Sequence, residues 1–331
     1  SYDLRVGQQI TLTGDSLLAP GIADFVGEAG FDAKLTETWS GLTWSHRLAR
    51  KASVGVTTYV AIRSQRQSIG GTSTKLGDST QVAIVSKAYD YNNWRLLWKA
   101  GLAYEIGKVT LGLTVTTPSV DLFGSGSSSI NIGFFGFDVD GDGSSDDVLA
   151  AVDQDDASSL YKSPLSIGLG AAADFGARSV YVSAEWFNSV GRFDVLPPQT
   201  FAVQTSPDDT LTVRVSQELD AVTNFAVGYE EVLSEKVSVY GSFTTDFTAA
   251  VRDGSSNLSL STWNIFYFTG GAAFQIGRAA FTLGIGYGFS ADADQLRLPI
   301  VDAASDRPDL GLDGENSITY RRWTFLFGFE F

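Results

Sequence analysis

The sequence predicts an all-β protein: a transmembrane antiparallel β-barrel with short periplasmic turns and long extracellular loops. Three observations predict it. Apolar residues alternate with small or polar ones along many segments, short and long connections alternate, and no apolar run of about 18 residues is available for a transmembrane helix. Period-two alternation marks a strand whose two faces meet different surroundings. We expect about 14 strands, with about 12 as the alternative, because an even number closes a barrel with both termini on one side.

The C-terminal segment has the clearest alternation. Large aromatic rings stand at every second position, and the residues between them are mostly small or polar. A row of rings at a free end would favour aggregation in a soluble protein, whereas it suits a strand whose outer face meets lipid. The aromatic row is Trp323, Phe325, Phe327, Phe329 and Phe331, and it alternates with Thr324, Leu326, Gly328 and Glu330.

Segments 94–106, 109–117, 165–175 and 281–290 repeat this pattern, with one apolar face and one face of small, polar or charged residues. A barrel with a polar lumen has this inside-out arrangement. The alternative is a soluble antiparallel sandwich, whose outer face we would expect to be richer in Lys and Glu. The predicted strands are 3–13, 35–48, 52–66, 82–106, 108–118, 163–175, 178–193, 219–231, 235–250, 258–276, 278–290 and 317–331, and segments 126–136 and 210–217 can supply two more.

The connections between these segments differ in length in a regular way. We place the short turns and the C-terminus in the periplasm, as in outer-membrane barrels. The short turns are Gly107-Lys108, Gly176-Ala177, Leu233-Ser234, Gly277-Arg278 and Ala49-Arg50-Lys51. The long polar stretches are 67–80, 118–162, 195–218 and 291–316. We therefore expect one domain over 1–331, with a long extracellular loop region at 118–162 and an acidic extracellular loop at 291–316.

The composition excludes several function classes. The formal net charge is −15, so no nucleic-acid partner is expected, because nucleic-acid binding needs a basic surface. The chain has no Cys, which excludes disulfides and thiolate chemistry, and no Met, which indicates a processed form whose signal peptide has been removed. We expect a bacterial outer-membrane protein in contact with membrane lipid and lipopolysaccharide, and we expect any protein partner to bind at the extracellular loops.

Much of the chain resembles the outer-membrane long-chain fatty-acid transporter family, which includes aromatic-hydrocarbon transporters. The matching stretches are 44–65, 91–119, 163–176, 180–187, 270–289 and 321–331. In two places a short turn is followed by a Lys-x-Ser-Val strand start, at Lys51-Ala52-Ser53-Val54 and at Lys236-Val237-Ser238-Val239.

The resemblance implies a 14-stranded barrel with an N-terminal plug. It also implies that hydrophobic ligands enter from outside and leave sideways into the membrane through an opening in the wall. The sequence departs from the family in one respect: the plug usually carries an Asn-Pro-Ala stretch, and residues 1–40 contain none. The chain instead enters a strand-like alternation between Leu4 and Leu12.

An acidic stretch at 138–147 matches the spacing of a calcium-binding loop. Acids occupy the first, third and fifth positions, and a glycine follows where the loop must turn sharply. The bidentate Glu that usually closes such loops is absent, since Leu149 occupies its position. A Ca²⁺ ion that orders an external loop is one interpretation, and a solvated acidic loop tip is the other. The candidate ligands are Asp138, Asp140, Asp142, Ser144, through its backbone carbonyl, and Asp146.

Residue parity identifies the side chains that should point into the lumen. Cations and aromatic rings there can hold an amphipathic ligand, with its carboxylate on Arg95 or Lys99 and its tail on the rings. The alternative is that lumen Arg and Glu residues pair with each other and fill space. The candidate ligand-binding residues are Arg95, Lys99, Leu97, Tyr181, Phe187, Tyr240 and Tyr267.

No enzyme activity is expected. The only histidine, His46, lies near the short link at 49–51, where a Ser-His hydrolase site fits poorly, and the chain has no phosphate loop, dinucleotide motif or zinc cluster. Two function classes stay open. The first is transport of hydrophobic or amphipathic small molecules, such as long-chain fatty acids or aromatic hydrocarbons. The second is a structural or surface-interaction barrel with calcium-ordered loops.

Overall fold

The computed structural model describes residues 2–13, 23–75, 80–137, 144–251, 263–277, 279–290, 294–295, 317–318 and 320–330. In these residues the chain forms β-strands, turns and short irregular links. None of them belongs to a helix with the length and apolar character needed to cross a membrane. The strands are β1 (Tyr2–Thr13), β2 (Ala23–Ala49), β3 (Ala52–Lys75), β4 (Gln81–Ile106), β5 (Val109–Thr116), β6 (Val120–Phe137), β7 (Asp146–Ser158), β8 (Ser166–Asp174), β9 (Arg178–Phe187), β10 (Val190–Val203), β11 (Ser206–Leu219), β12 (Val222–Ser234), β13 (Val237–Asp246), β14 (Ile265–Ile276), β15 (Ala279–Ser290), β16 (Asp294–Gln295), β17 (Ser317–Ile318) and β18 (Arg321–Glu330).

One antiparallel sheet contains fourteen of these strands. Its continuous path runs β1-β2-β3-β4-β5-β8-β9-β12-β13-β14-β15-β18. The strands β6 and β7 extend it at one end: the first part of β4 pairs with β6, the last part of β4 pairs with β5, and β6 pairs with β7. No pairing among the described residues joins β1 to β18. The pairs β2–β3, β4–β5, β8–β9, β12–β13 and β14–β15 along this path are the hairpins that the short turns predict.

The strand register gives the sheet two unlike faces. On one face, Phe243 lies beside Phe268, with ring centroids 4.9 Å apart. In the same row Tyr287 lies beside Trp323, with centroids 4.5 Å apart. Phe327, further along this face, is 80% exposed. A contiguous row of exposed rings of this kind belongs against hydrocarbon, and we name this side the outer face.

The opposite side, the inner face, carries small and polar residues on the same strands. One of its rows runs through Thr269, Gly286 and Thr324. The link between β7 and β8 packs on the inner face of β4, where the ring of Tyr161 covers the guanidinium of Arg95. The predicted alternation is therefore confirmed, with the apolar set on one face and the small or polar set on the other.

Several stretches that we expected to be loops are strands. The expectation for 118–162 is wrong over 120–137 and 146–158, which are β6 and β7, and the stretch 195–218 lies in β10 and β11. The middle of β6 consists mostly of Ser and Gly, but its backbone groups pair with β4 and β7, and pairing does not require apolar side chains. The backbone groups of β10 pair with those of β11. The two segments expected to supply extra strands, 126–136 and 210–217, lie in β6 and β11.

The short turns need little correction. Gly107, Gly176 and Gly277 have φ of +63°, +91° and +65°, a left-handed conformation that glycine adopts without steric cost. The turn expected at Leu233-Ser234 lies two residues later, between β12 and β13. Of the acidic stretch 291–316, only the two residues of β16 are described, and the rest lies outside the described residues.

The hairpin of β10 and β11 forms its own two-stranded sheet and leaves the path between β9 and β12. Leu196 of this hairpin is buried in an apolar cluster with Tyr91 and Tyr161. Gly126 of β6 allows the close approach, because a Cβ there would lie 2.8 Å from a methyl group of Leu196 and 2.5 Å from a backbone carbonyl. The hairpin therefore packs over the inner face of β4, at the end away from the short turns.

Replacing Phe325 by Arg is expected to lower the free energy of unfolding by about 2–4 kcal/mol, because the guanidinium would stand in hydrocarbon on the outer face. The matched control is Thr324→Arg on the adjacent inner-face position, with an expected loss below about 1 kcal/mol. Urea unfolding of the protein in lipid vesicles measures both. Equal losses would contradict the assignment of the two faces.

Candidate functional site

Four strands are interrupted at one level of the sheet. Thr116, Ser166, Phe187 and Val222 form a single inner-face row across β5, β8, β9 and β12. Beyond this row each of the four chains leaves the ladder, at 117–119, 159–165, 188–189 and 220–221. The first two links each contain a proline, Pro118 and Pro164. Proline has no backbone N–H and cannot donate a hydrogen bond to a neighbouring strand. The interruptions bring irregular backbone to one place on the inner face.

The links remain tied to their neighbours by a few hydrogen bonds. The backbone N–H of Ser163 donates to Oγ of Ser119 at 2.8 Å, and that of Asn188 donates to the carbonyl of Leu165 at 2.9 Å. The link 159–165 runs over the inner face, because the N–H of Leu160 donates to the carbonyl of Val195 in the β10–β11 hairpin at 2.9 Å. This course carries Tyr161 over the charged side chains of β2, β3 and β4.

We name the residues beneath and around that ring the Tyr161 cluster: Glu37, Arg63, Tyr91, Arg95 and Tyr161. Arg63 donates to Oε2 of Glu37 at 2.8 Å, and Arg95 donates to Oε1 at 2.5 Å. The guanidinium carbons of Arg63 and Arg95 lie 4.0 and 4.7 Å from the centroid of the Tyr161 ring. One carboxylate and one aromatic ring therefore hold two buried cations, through ion pairs and cation–π contacts.

Hydrogen bonds to neutral groups complete most of the cluster. Arg63 Nε donates to the Tyr91 hydroxyl at 2.9 Å, and Arg95 Nε donates to Oγ of Ser163 at 3.0 Å. Within the described part of the chain, Nη1 of Arg95 and Oδ1 of Asn93 are buried without a hydrogen-bond partner. Buried polar atoms of this kind are usually satisfied by ordered water or a ligand group.

Tyr89 and Tyr91 lie in the first part of β4, far from the short turn that follows its end. A membrane-spanning strand has about 9–11 residues, so both tyrosines lie beyond the membrane-spanning part of β4. Burial raises the pKa of Tyr91 above its ordinary range, although the nearby Arg63 guanidinium acts in the opposite direction. Burial also raises the pKa of Tyr89 well above its ordinary range. Both phenols therefore stay protonated and donate, Tyr91 to Oε1 of Gln65 at 2.9 Å and Tyr89 to Oε1 of Gln67 at 2.5 Å.

The predicted carboxylate-binding cations lie in different surroundings. Arg95 is 1% exposed and is held by Glu37, and its neighbour Leu97 is fully buried. Lys99 is 37% exposed, and its Nζ lies 3.9 Å from Oε1 of Glu185, too far for a strong ion pair. Glu185 also accepts a hydrogen bond from Oγ of Ser166 at 2.8 Å. Lys99 is thus the more accessible of the two cations. Arg95 instead follows the alternative that the sequence left open, in which inner-face Arg and Glu residues pair with each other.

The predicted aromatic residues all stand on the inner face but do not meet at one point. The Tyr181 hydroxyl donates to Glu230 at 3.3 Å, and the Tyr240 hydroxyl donates to the carbonyl of Leu283 at 3.4 Å. Tyr267 pairs with Gly288 on the next strand. Phe187 lies in the row that precedes the strand interruptions. The ligand-binding role of all seven predicted residues remains a prediction.

A cavity of about 350 Å³ opens on the inner face where the interrupted strands converge, and we name it the Trp263 cavity. Phe187, Phe247 and Trp263 give it three aromatic walls, and Asn224 and Asp246 line it with polar groups. A second cavity of about 500 Å³ lies nearer the short turns, against small inner-face residues and Tyr181. Apolar lining with a few polar groups is typical of small-molecule sites.

The sequence did not single out three of the central residues. The alternation places Glu37 in a predicted strand but assigns it no role. A single carboxylate at an inner-face position is the signal that could have identified it. Tyr161 fell in the expected loop 118–162, and Trp263 in the expected strand 258–276. Their roles depend on the strand interruptions, which alternation alone does not locate.

The predicted calcium loop is described only in part. Asp138, Asp140 and Asp142 lie outside the described residues, Ser144 is exposed, and Asp146 begins β7. Within the described residues, no three acidic or histidine side chains come together as a metal site. The calcium site therefore remains a prediction.

Comparison with solved structures identifies the fold. The toluene transporter TbuX of Ralstonia pickettii matches with a TM-score of 0.50 at 11% identity, over 81% of this chain and 74% of that chain. The toluene transporter TodX of Pseudomonas putida matches with a TM-score of 0.40 at 10% identity, over 86% and 81%. A FadL homologue of Pseudomonas aeruginosa matches with a TM-score of 0.38 at 10% identity, over 92% and 76%.

No protein-family model and no curated protein matches the chain. Because TbuX and this chain are only 11% identical in sequence, their similarity concerns the fold alone. The fold is that of an outer-membrane β-barrel, as the alternation predicts.

Replacing Glu37 by Gln is expected to lower the free energy of unfolding by about 3 kcal/mol, because it leaves two buried guanidiniums without a counter-charge. Glu37 is 23% exposed, so we expect the low end of the range for breaking a buried pair. Chemical unfolding in micelles measures the loss. The control is Glu231→Gln, which removes the carboxylate partner of the exposed Arg178 and should leave the unfolding midpoint unchanged. Equal midpoints for the wild type and Glu37→Gln would contradict the role of the carboxylate.

Proposed function

We propose that this protein lets hydrophobic or amphipathic small molecules, such as long-chain fatty acids or aromatic hydrocarbons, cross the bacterial outer membrane. The single observation that carries the proposal is the apolar Trp263 cavity on the inner face of an outer-membrane barrel fold. A purely structural barrel has no need of such a cavity. TbuX, which has the same fold, is described as a toluene transporter, and this supports the proposal. Since TbuX is described as a transporter, we propose no catalytic role.

The ligand enters from the end away from the short turns, which we take as the extracellular end. On one side of this entrance the β10–β11 hairpin and the Tyr161 cluster cover the inner face of β4. On the other side the Trp263 cavity receives the ligand. Below it, the small residues that line the second cavity leave room for passage.

The resemblance to fatty-acid transporters implies a sideways exit, and the adjacent links 117–119 and 159–165 are our candidate for it. Between these links the strands exchange few ladder hydrogen bonds, chiefly those of Ser119 and Ser163. Fewer ladder bonds make this part of the wall easier to open than the continuous pairs.

Lys99 is our candidate for contact with a carboxylate headgroup. It stands on the inner face in the row that contains Thr116 and Phe187, and its only nearby acid in the described chain is Glu185 at 3.9 Å. A ligand carboxylate at hydrogen-bond distance would compete successfully with so long a pair. The buried Arg95 acts instead as a fixed part of the Tyr161 cluster.

Replacing Lys99 by Gln is expected to lower uptake of a long-chain fatty acid several-fold, because the headgroup loses its accessible cation. Uptake of toluene, which carries no charge, should stay unchanged. Proteoliposomes with purified protein measure both fluxes. The control is Lys108→Gln in the short turn after β4, which should affect neither flux. An equal fall for both substrates, or no fall for the fatty acid, would reject the role of Lys99. The absence of any flux above that of empty vesicles would reject the proposed function.

A further inference from the structure

We infer that the Trp263 cavity binds a small neutral aromatic molecule that carries a hydroxyl group, a phenol, in preference to a plain hydrocarbon. The inference rests on the proposed function, because it names the substrate class of that path. It depends on two polar groups of the cavity, a buried donor that an apolar ligand would leave unpaired and an acceptor at the rim that an apolar ligand cannot use.

The first polar group is the indole N–H of Trp263. The residue is 7% exposed, and its Nε1 is buried without a hydrogen-bond partner among the residues that the structure describes. Its ring packs on Tyr320 with centroids 5.8 Å apart, which limits its freedom to turn toward water. A buried donor without an acceptor is costly, so a ligand that supplies an acceptor gains the hydrogen bond and relieves the cost.

The second polar group is the carboxylate of Asp246, at the exposed rim of the same cavity. No hydrogen bond or ion pair is found for it within the described ranges. A carboxylate accepts hydrogen bonds but cannot donate to a ligand when ionised. Trp263 and Asp246 therefore offer the ligand one donor and one acceptor, and a hydroxyl group is the smallest group that complements both.

The backbone around these groups is held in place, so the cavity is built before a ligand arrives. Oδ1 of Asn224 accepts the N–H of Phe247 at 2.7 Å, and Oδ1 of Asn264 accepts the N–H of Thr248 at 3.1 Å. The N–H of Asp220 donates to the carbonyl of Ala249 at 2.8 Å. Preformed walls reduce the entropic cost of binding.

The other ligand classes fit less well. A carboxylate ligand would meet two acids, since Asp220 also lines the cavity. An ammonium ligand would pair with Asp246 but has no lone pair to accept from Trp263. A hydrocarbon would fit the three aromatic walls but would leave the buried N–H of Trp263 unpaired and make no contact with Asp246 through a hydrogen bond. Only a neutral hydroxylated ring uses the walls and both polar groups together.

The test compares phenol with toluene, which has a methyl group in place of the hydroxyl. Both are titrated into the full chain in detergent micelles, and the ¹⁵N-indole signals of its seven tryptophans are followed by NMR. The signal that Trp263→Phe removes identifies Trp263. We expect phenol to bind about tenfold more tightly than toluene and to move this signal downfield, as one added hydrogen bond to an unpaired donor implies.

Two variants separate the polar groups from the apolar walls. Trp263→Phe and Asp246→Asn should each weaken phenol binding several-fold and leave toluene binding unchanged. Trp323→Phe, on the outer face, should alter neither affinity. Toluene binding as tight as phenol, or phenol binding that is indifferent to Trp263→Phe, would overturn the inference. If phenol is not preferred but the protein still carries toluene into vesicles, only the inferred hydroxyl preference fails. If phenol is preferred but no flux into vesicles occurs, only the proposed function fails.

Discussion

Backbone hydrogen bonding across neighbouring strands is the constraint on which the structure depends. In hydrocarbon no water is available, so each N–H and C=O of a spanning segment must pair within the protein. The fourteen-stranded sheet meets this need strand by strand, and the period-two geometry then sends alternate side chains to opposite faces. Rings such as Trp323 meet lipid because of that geometry, and residues such as Thr324 face inward because of it.

The functional features lie where this constraint is relaxed. Beyond the row of Thr116, Ser166, Phe187 and Val222, four strands leave the ladder and their links turn over the inner face. One link carries Tyr161 onto two guanidiniums that share Glu37. The links 188–189 and 220–221 border the Trp263 cavity through Asn188 and Asp220. The same interruptions therefore cover one side of the inner face and leave a cavity on the other.

Alternation predicted the wall of the barrel well, because facing lipid and facing the lumen impose different residues at every second position. It predicted the inner-face positions of Lys99, Phe187 and Tyr181. It could not separate strands from loops in 118–162, where Ser and Gly residues pair by backbone alone. Alternation also predicted that Arg95 is accessible to a ligand, whereas Arg95 is buried. Alternation could not show this, because Glu37, which pairs with Arg95, lies two strands away, and Tyr161, which covers it, belongs to a link.

The most direct measurement of the central claim uses the absence of cysteine in the chain. Single cysteines placed along 323–328 are labelled with a fluorophore in lipid vesicles and exposed to a lipid-phase quencher and to a water-soluble quencher. The account predicts that labels at odd positions are quenched from the lipid and labels at even positions from the water. Quenching without alternation, or with the opposite alternation, would contradict it.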